Sequence, residues 1–327
     1  MVNFDRCQLD AFHTYGGSDK KLCRIYNGKP YMLKVADKLE AKGLATSYSN
    51  SIYSEYICCH ILEIMGIDVQ KTVLGTITTE SQTTGKKERK PVVGCQNFLI
   101  DNCNLIEFAV IEDDALEEKV GKIPKLRDIN YIFKTNCSHY FTSEKLREQA
   151  EQRYWDTFVL DAYFGNFDRH HHNFGYIAEK TPDGDMNISI APIYDCGSCL
   201  YPQLSEASLD TILNSEEEIN ARIYKFPTAA LLLDGGRKAN YYEFINSLKN
   251  EDCNKAVLRI FPLIQKHQDE IRAFIDNQNY LSLARKNFYN VILKKRFEKI
   301  IEPAYTRLME KTNGYDYDSD EEVENER

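Results

Sequence analysis

Hydrophobic and polar positions alternate in strand fashion through much of the first third of the chain and turn mainly helical further on. Lys21–Tyr26 and Pro30–Ala36 read as two strands joined by Asn27-Gly28, a pair suited to a tight hairpin because both turn positions take positive φ. Asn50 or Ser51 opens a helical stretch to about Met65, closed by Gly66. Val73–Thr78 and Val92–Leu99 form a second strand pair. Between them Thr79–Lys90 is polar, charged and poor in anchors, which predicts a mobile loop. From about Leu105 helices take over. Thr142 or Ser143 caps a long helix to Phe164, and Gly165 is placed to stop it. Asn173–Ala178 and Met186–Pro192 return to alternation around the turn cluster Thr181-Pro182-Asp183-Gly184-Asp185. After about Ser208 the pattern is mainly helical and ends in a long helix from about Asn279 to Lys311.

The plan is α+β: a small β-rich lobe over residues 1–104, a larger helical lobe over 105–312, and a site between them. At 327 residues and 37.9 kDa the chain is long enough for two cores. No apolar run reaches the ~18 residues of a spanning helix, and Met1–Arg6 lacks the basic-then-apolar pattern of a signal peptide. Ten cysteines without regular spacing suit free thiols in a reducing, cytoplasmic setting. The net charge of −9 is concentrated at the end: Gly314–Arg327 holds seven acidic residues against one arginine, leaving the body at −3. Residues 313–327 therefore read as an acidic, solvated tail. There is no basic stripe with interleaved aromatics, so direct nucleic-acid binding is not expected.

Chemistry concentrates in Gly165-Asn166-Phe167-Asp168-Arg169-His170-His171-His172-Asn173 and, downstream, Ile193-Tyr194-Asp195-Cys196-Gly197. Phosphoryl transfer needs few groups: a carboxylate to meet the incoming hydroxyl, and oxygens to hold Mg²⁺ against the phosphates. Asp168 suits the first role. Asn173 and Asp195 suit the second, and Asp-x-x-x-x-Asn followed by a hairpin and Asp-Cys-Gly is the order used by kinases. Lys34, within the apolar strand Tyr31–Ala36, is a candidate partner for the α/β-phosphates, with Glu55 as its counter-ion on a helix face shared with Cys59 and Leu62. Gly16, Gly17 and Ser18 precede the first hairpin and make a plausible phosphate loop, although the full G-x-G-x-x-G pattern is missing. His170-His171-His172 with Cys196-x-x-Cys199 offers a zinc set on paper, but consecutive histidines cannot all point one way. Cys58-Cys59 reads as core packing.

Together these residues resemble the HipA-like serine/threonine kinases, and more closely their short branch typified by the cell-translocating kinase A proteins. The likeness rests on Gly165–His170, the block Ala191-Pro192-Ile193-Tyr194-Asp195-Cys196-Gly197-Ser198-Cys199-Leu200-Tyr201-Pro202-Gln203, Asn220–Pro227, and Ser54–Ile57 with Cys59-His60. It spans about residues 14–310. The resemblance implies a two-lobed protein-kinase-like fold, ATP with Mg²⁺, and transfer to serine or threonine of a protein. It places the base at Asp168, the metal ligands at Asn173 and Asp195, and the nucleotide lysine at Lys34. It sets the adenine-contacting connector near Gln96, Asn97 and Phe98, and His170, His171 and His172 along the phosphates. It also implies that Ser18, in the glycine loop, is a candidate for autophosphorylation that ejects the loop and switches the kinase off. The longer toxin kinases carry an extra N-terminal region that engages a DNA-binding antitoxin. This chain starts almost at the glycine loop, which puts an antitoxin partner in doubt, and the acidic tail does the same for host-cell delivery. Two alternatives stand beside this reading. Asp-Arg-His-x-x-Asn also resembles the catalytic loop of phosphatidylinositol kinases, although no basic patch for a lipid headgroup follows Asp195. A non-catalytic nucleotide-binding effector is the other, against which stands the intact set Lys34, Asp168, Asn173 and Asp195.

Overall fold

The computed structural model describes residues 1–11, 22–35, 50–80, 85–99, 102–117, 119, 121–134, 140–141 and 143–312. The chain forms two compact units, the first from residues 1–122 with 168–208 and the second from 123–167 with 209–327. Its N-terminal region is β-rich and its C-terminal region helical, a mixed α/β fold.

The first unit is built on a six-stranded sheet in the order β1-β5-β6-β4-β3-β2. Its strands are β1 (Val2–Asn3), β2 (Gln8–Leu9), β3 (Leu22–Tyr26), β4 (Lys29–Val35), β5 (Thr72–Glu80) and β6 (Lys87–Gln96). All neighbours are antiparallel except β1 with β5. The β3–β4 hairpin turns at Asn27 and Gly28, with φ of 50° and 73°, as the Asn-Gly pair demands. β5 and β6 run on to the pairs Thr79↔Glu88 and Glu80↔Lys87, so six of the twelve residues expected as a loop over Thr79–Lys90 are ladder, while 81–84 lie outside the described residues. Threonines at 76, 78 and 79 favour a pleated, half-buried surface, and Arg89 Nε donates across the strands to Thr76 Oγ1 at 2.9 Å. Phe4 closes the core of this sheet with Tyr31, Leu33, Ile77 and Val92. Its ring lies where a Cβ on Gly75 or Gly94 would stand, at 2.5 and 2.8 Å, so both strands need glycine at that crossing.

The helix α1 (Ser51–Ile64) follows β4 after the undescribed stretch 36–49, and ends at Gly66 with φ 73°. A second sheet, β7-β8-β9, comprises Cys103–Glu107, Gly175–Lys180 and Met186–Ile190. A helical pattern was expected from about Leu105; instead Leu105–Glu107 pair with Ile177–Gly175, and α2 (Phe108–Leu116) begins only afterwards. Residues 168–208 group with the first unit, to which they are tied by the pairing of β8 with β7 and by the bridge between Val69 and Ile193.

In the second unit α4 (Glu144–Phe164) starts where Ser143 Oγ accepts the Leu146 N–H at 3.2 Å, and stops at Gly165 with φ 67°. The unit also holds α3 (Leu126–Lys134), α5 (Glu206–Leu213) from its fourth residue on, α6 (Glu216–Asn220), a β10–β11 ribbon (Thr228–Leu232, Lys238–Asn240) and α7 (Tyr241–Ser247). α8 (Glu251–Asp276) and α9 (Leu283–Arg296) complete it. Trp155 stacks on Phe244 at 5.9 Å in its core. The expected last helix begins later than Asn279, with Ser282 as its cap, and passes through a π-helical turn at Phe297–Ile301 before residues 302–312 resume the α-helix. Among the described residues no helix is long and apolar enough to cross a membrane.

Candidate active site

Lys34 sits on β4 opposite Val93 of β6, where strand alternation turns its side chain away from the Leu33 core position. Its ammonium donates to Glu55 Oε2 at 2.7 Å and to Asp195 Oδ1 at 2.8 Å. Glu55 belongs to α1 and is wholly buried, and its other oxygen accepts the Cys196 N–H at 3.0 Å. One glutamate therefore holds both the lysine and the backbone just after Asp195. Gly197 leaves room for it: a Cβ there would stand 3.1 Å from Glu55 Oε2. Burial alone pushes the Lys34 ammonium down, but Asp195 and Glu55 outweigh it and hold the group well above its usual value. Burial drives Glu55 up, and Lys34 only partly pulls it back. For Asp195 burial also pushes up, yet the Lys34 charge prevails and the carboxyl lies below its usual range.

Asp195 takes φ of 58°, followed by Leu200 at 57° and Tyr201 at 54°. Three non-glycine residues in the left-handed region within seven positions mark a backbone held by its surroundings. The restraints are visible: Ile193 N–H donates to Asp68 O at 3.0 Å, Gln70 N–H donates to Ile193 O at 2.8 Å, and Asn50 Nδ2 donates to Pro202 O at 3.2 Å.

Asp168 and Asn173 bound a short loop whose root is fixed within the second unit. Asn166 is buried there, its amide on Asp161 Oδ1 at 2.8 Å and its carbonyl accepting the Tyr241 hydroxyl at 2.8 Å. Asn173 Nδ2 donates to the Asp168 carbonyl at 2.9 Å, which closes the loop and leaves the Asn173 side-chain oxygen as the atom to offer a ligand. The Asp168 carboxylate is half-exposed, 3.9 Å from His170 Nε2. Burial lowers the His170 imidazole and Asp168 partly restores it.

Of the three histidines, His171 points inward to the buried Glu112, while His172 Nδ1 donates to Glu107 Oε2 at 2.6 Å at a half-exposed position. The connector starts at Gln96, the last residue of β6, and continues through Asn97 and Phe98. Gln96 uses its N–H on Lys71 O and its carbonyl on Gln70 Nε2, and Asn97 N–H donates to Pro30 O. Phe98 packs its ring 5.8 Å from Tyr194. Gly16, Gly17 and Ser18, and the tail over 313–327, lie outside the described residues.

The sequence pattern by itself gives Arg169 no role, although the residue stands between Asp168 and Asn173. Its guanidinium donates to Asn173 O at 3.0 Å, to Tyr194 O, and to Cys196 Sγ at 3.6 Å, so it staples the Asp168–Asn173 loop to the segment bearing Asp195. Glu107 and Glu112 were also missed, being 65 and 59 residues away in sequence from their histidines. Cys58, Cys59, Cys196 and Cys199 are buried together, and thiol hydrogen bonds from Cys199 and Cys59 pull Cys196 well below its usual value. All described cysteines are free thiols. Among the described residues no group of three or more His, Cys, Asp or Glu is arranged to hold a metal ion, so the zinc set does not assemble.

The family profile described as HipA-like C-terminal domain matches residues 14–260 of this chain. The chain belongs to the HipA-like family. It is 36% identical over 311 residues to the serine/threonine-protein kinase CtkA of Helicobacter pylori (strain J99), covering 94% of this chain and 89% of that protein. The crystal structure of a Helicobacter pylori proinflammatory kinase CtkA superposes with a TM-score of 0.82 at 35% identity, over 94% of this chain and 98% of that one. A chain of the Shewanella oneidensis MR-1 toxin–antitoxin complex of HipA, HipB and operator DNA matches with a TM-score of 0.51 over 91% of this chain and 68% of its own; at 14% identity it shows a shared fold. At the level of the HipA-like family the chain is classed as a kinase.

Proposed function

We propose that this chain is a serine/threonine protein kinase that uses ATP and Mg²⁺ and can phosphorylate itself. The observation that carries the reading is Lys34, held at 2.7 Å from Glu55 and 2.8 Å from Asp195 while the loop of Asp168 and Asn173 is stapled to the Asp195 segment through Arg169. Lysine, helix glutamate and metal aspartate must all be in place for kinase-type transfer.

The residues fit the implied metal. Mg²⁺ is commonly bound through one or two carboxylates and the substrate phosphates, with no cage made wholly of protein. Asp195 and the side-chain oxygen of Asn173 are hard oxygen donors of that kind. When bound, the ion neutralises charge on the phosphates. Asp168 orients the acceptor hydroxyl and takes its proton as the new O–P bond forms and the bond to the ADP oxygen breaks. Lys34 holds phosphate oxygens, and Glu55 keeps the lysine in position. The connector leaves the Asn97 carbonyl and the Phe98 backbone for the adenine edge, because the Gln96 backbone groups and the Asn97 N–H are already committed.

The test is transfer from labelled ATP with Mg²⁺ to a general protein acceptor and, separately, to phosphatidylinositol vesicles, beside Asp168→Asn. Label on protein serine or threonine, absent in the variant, is the expected result. Label in the lipid would favour a lipid kinase. Nucleotide binding with no transfer would favour a non-catalytic effector.

A further inference from the structure

The loop between Asp168 and Asn173 has no ladder or α-helical frame; a single 3₁₀ turn over His171–Asn173, with Asn173 N–H on His170 O at 2.8 Å, is its only regular piece. Side chains must therefore hold it. Two of its anchors, Arg169 and the Asn173 amide, come from the loop itself. Three more come from outside it: the Tyr194 hydroxyl donates to His172 O at 3.1 Å, and two carboxylates lie along the neighbouring β7–α2 segment. Glu107 ends β7 opposite Gly175, and Glu112 lies on α2. Phe108 N–H donates to Phe174 O at 2.8 Å, so the β7–α2 junction is docked on the loop's downstream end. From there Glu107 reaches His172 and Glu112 reaches His171, each at Nδ1.

The two contacts differ in setting. His172 and Glu107 are close to half-exposed, whereas His171 and Glu112 are each 1% exposed. A carboxylate bonded to an imidazole fixes ring orientation most firmly where no water competes. His171 stands three residues after the expected base and two before the expected metal ligand. We infer that Glu112 is a positioning residue for phosphoryl transfer: through His171 it sets the turn that presents Asn173, with Glu107–His172 as a weaker, solvent-side support. This rests on the reading of the site as a kinase centre. It also makes His171 a structural member of the loop, since its Nδ1 is taken up by Glu112.

Glu112→Leu removes the acceptor, and Glu112→Gln keeps the shape and an acceptor oxygen. The leucine variant is expected to lose about tenfold to a hundredfold in transfer rate, the range seen when outer-shell partners of metal ligands are removed. Its Mg²⁺ half-saturation should rise, while ATP affinity measured without metal stays near wild type. The glutamine variant should recover most of the rate. Unchanged rate and Mg²⁺ dependence per folded molecule would overturn the assignment. Should the leucine variant not fold, Glu112→Asp withdraws the carboxylate by one methylene, and wild-type rate and Mg²⁺ dependence there would overturn it equally. Amide exchange over 169–174 provides a readout that does not need turnover. Faster exchange in these variants supports the positioning role even if the wild type transfers no phosphate, a result that would sink the kinase reading alone; unchanged exchange overturns the positioning role.

Discussion

Replacing Lys34 by methionine keeps the apolar stem and deletes the charge that joins Glu55 to Asp195. At an effective dielectric of about 20, unit charges 2.7 Å apart attract by roughly 6 kcal/mol before desolvation is counted. Removing one member of a buried pair costs about 3–5 kcal/mol in practice, because the other is left buried without a partner. Glu55 fits that case, being fully buried, but Lys34 is 28% and Asp195 43% exposed, so water screens the second arm. We expect a loss of about 2–4 kcal/mol, almost all from Glu55. The loss depends on pH in a definite direction. Burial already raises the Glu55 carboxyl above 4.5, and without the lysine it rises further. A group whose folded pKa is raised contributes stability that is lost as pH increases through that pKa. The deficit should therefore be larger at pH 8 than at pH 5, where Glu55 can take up a proton. Trp155 is the single tryptophan and lies in the second unit, so its fluorescence reports on the wrong region. Native-state hydrogen exchange of the β4 and α1 amides is the suitable assay. A deficit under about 1 kcal/mol at pH 8, or one that does not shrink at pH 5, would refute the reasoning.

Arg169→Lys keeps the charge but loses the planar fork that reaches Asn173 O, Tyr194 O and Cys196 at once, so steady-state kinetics should show a transfer rate lower by about tenfold or more with KM for ATP little changed. Gly197→Ala places a methyl 3.1 Å from Glu55 Oε2, and the glutamate is held on both oxygens, so thermal melting should show a cost of about 1 kcal/mol. Gly75→Ala should cost more, because its Cβ would meet the backbone at Val2 O at 2.5 Å as well as the Phe4 ring. His60 is lowered from 6.5 by burial, its Nδ1–H donating to Tyr56 O at 2.9 Å. The unfolded chain then binds the proton first, so stability should fall as pH drops below about 6.5, and His60→Asn should flatten that part of a melting-against-pH curve.

Local signals carried much of the architecture. Asn27-Gly28, Ser143 and Gly165 each act through their own backbone, and the hairpin and the long helix stand where those residues put them. Lys34 and Glu55 were legible as a pair because each sits oddly, a lysine in an apolar strand and a glutamate on a buried helix face. What escaped depends on partners far along the chain. Phe4 makes sense only once Gly75 and Gly94 lie beneath its ring. β7 reads as the start of a helical region until β8 pairs with it from about 70 residues downstream. Glu107 and Glu112 look like ordinary acidic residues beside Asp113 and Asp114, and only the folded loop shows which carboxylates face the histidines. The β5–β6 extension was hidden differently, since a solvated ribbon and a loop have similar composition.

Intact-mass analysis after incubation with ATP and Mg²⁺ tests the central claim most directly, run on wild type beside Asp168→Asn, Asp195→Ala and Ser18→Ala. The account predicts added phosphate on wild type, none on the two aspartate variants, and a changed level or time course on Ser18→Ala. Phosphate on Asp195→Ala at the wild-type level would contradict it, because transfer would then proceed without the carboxylate that Lys34 and Glu55 are built around.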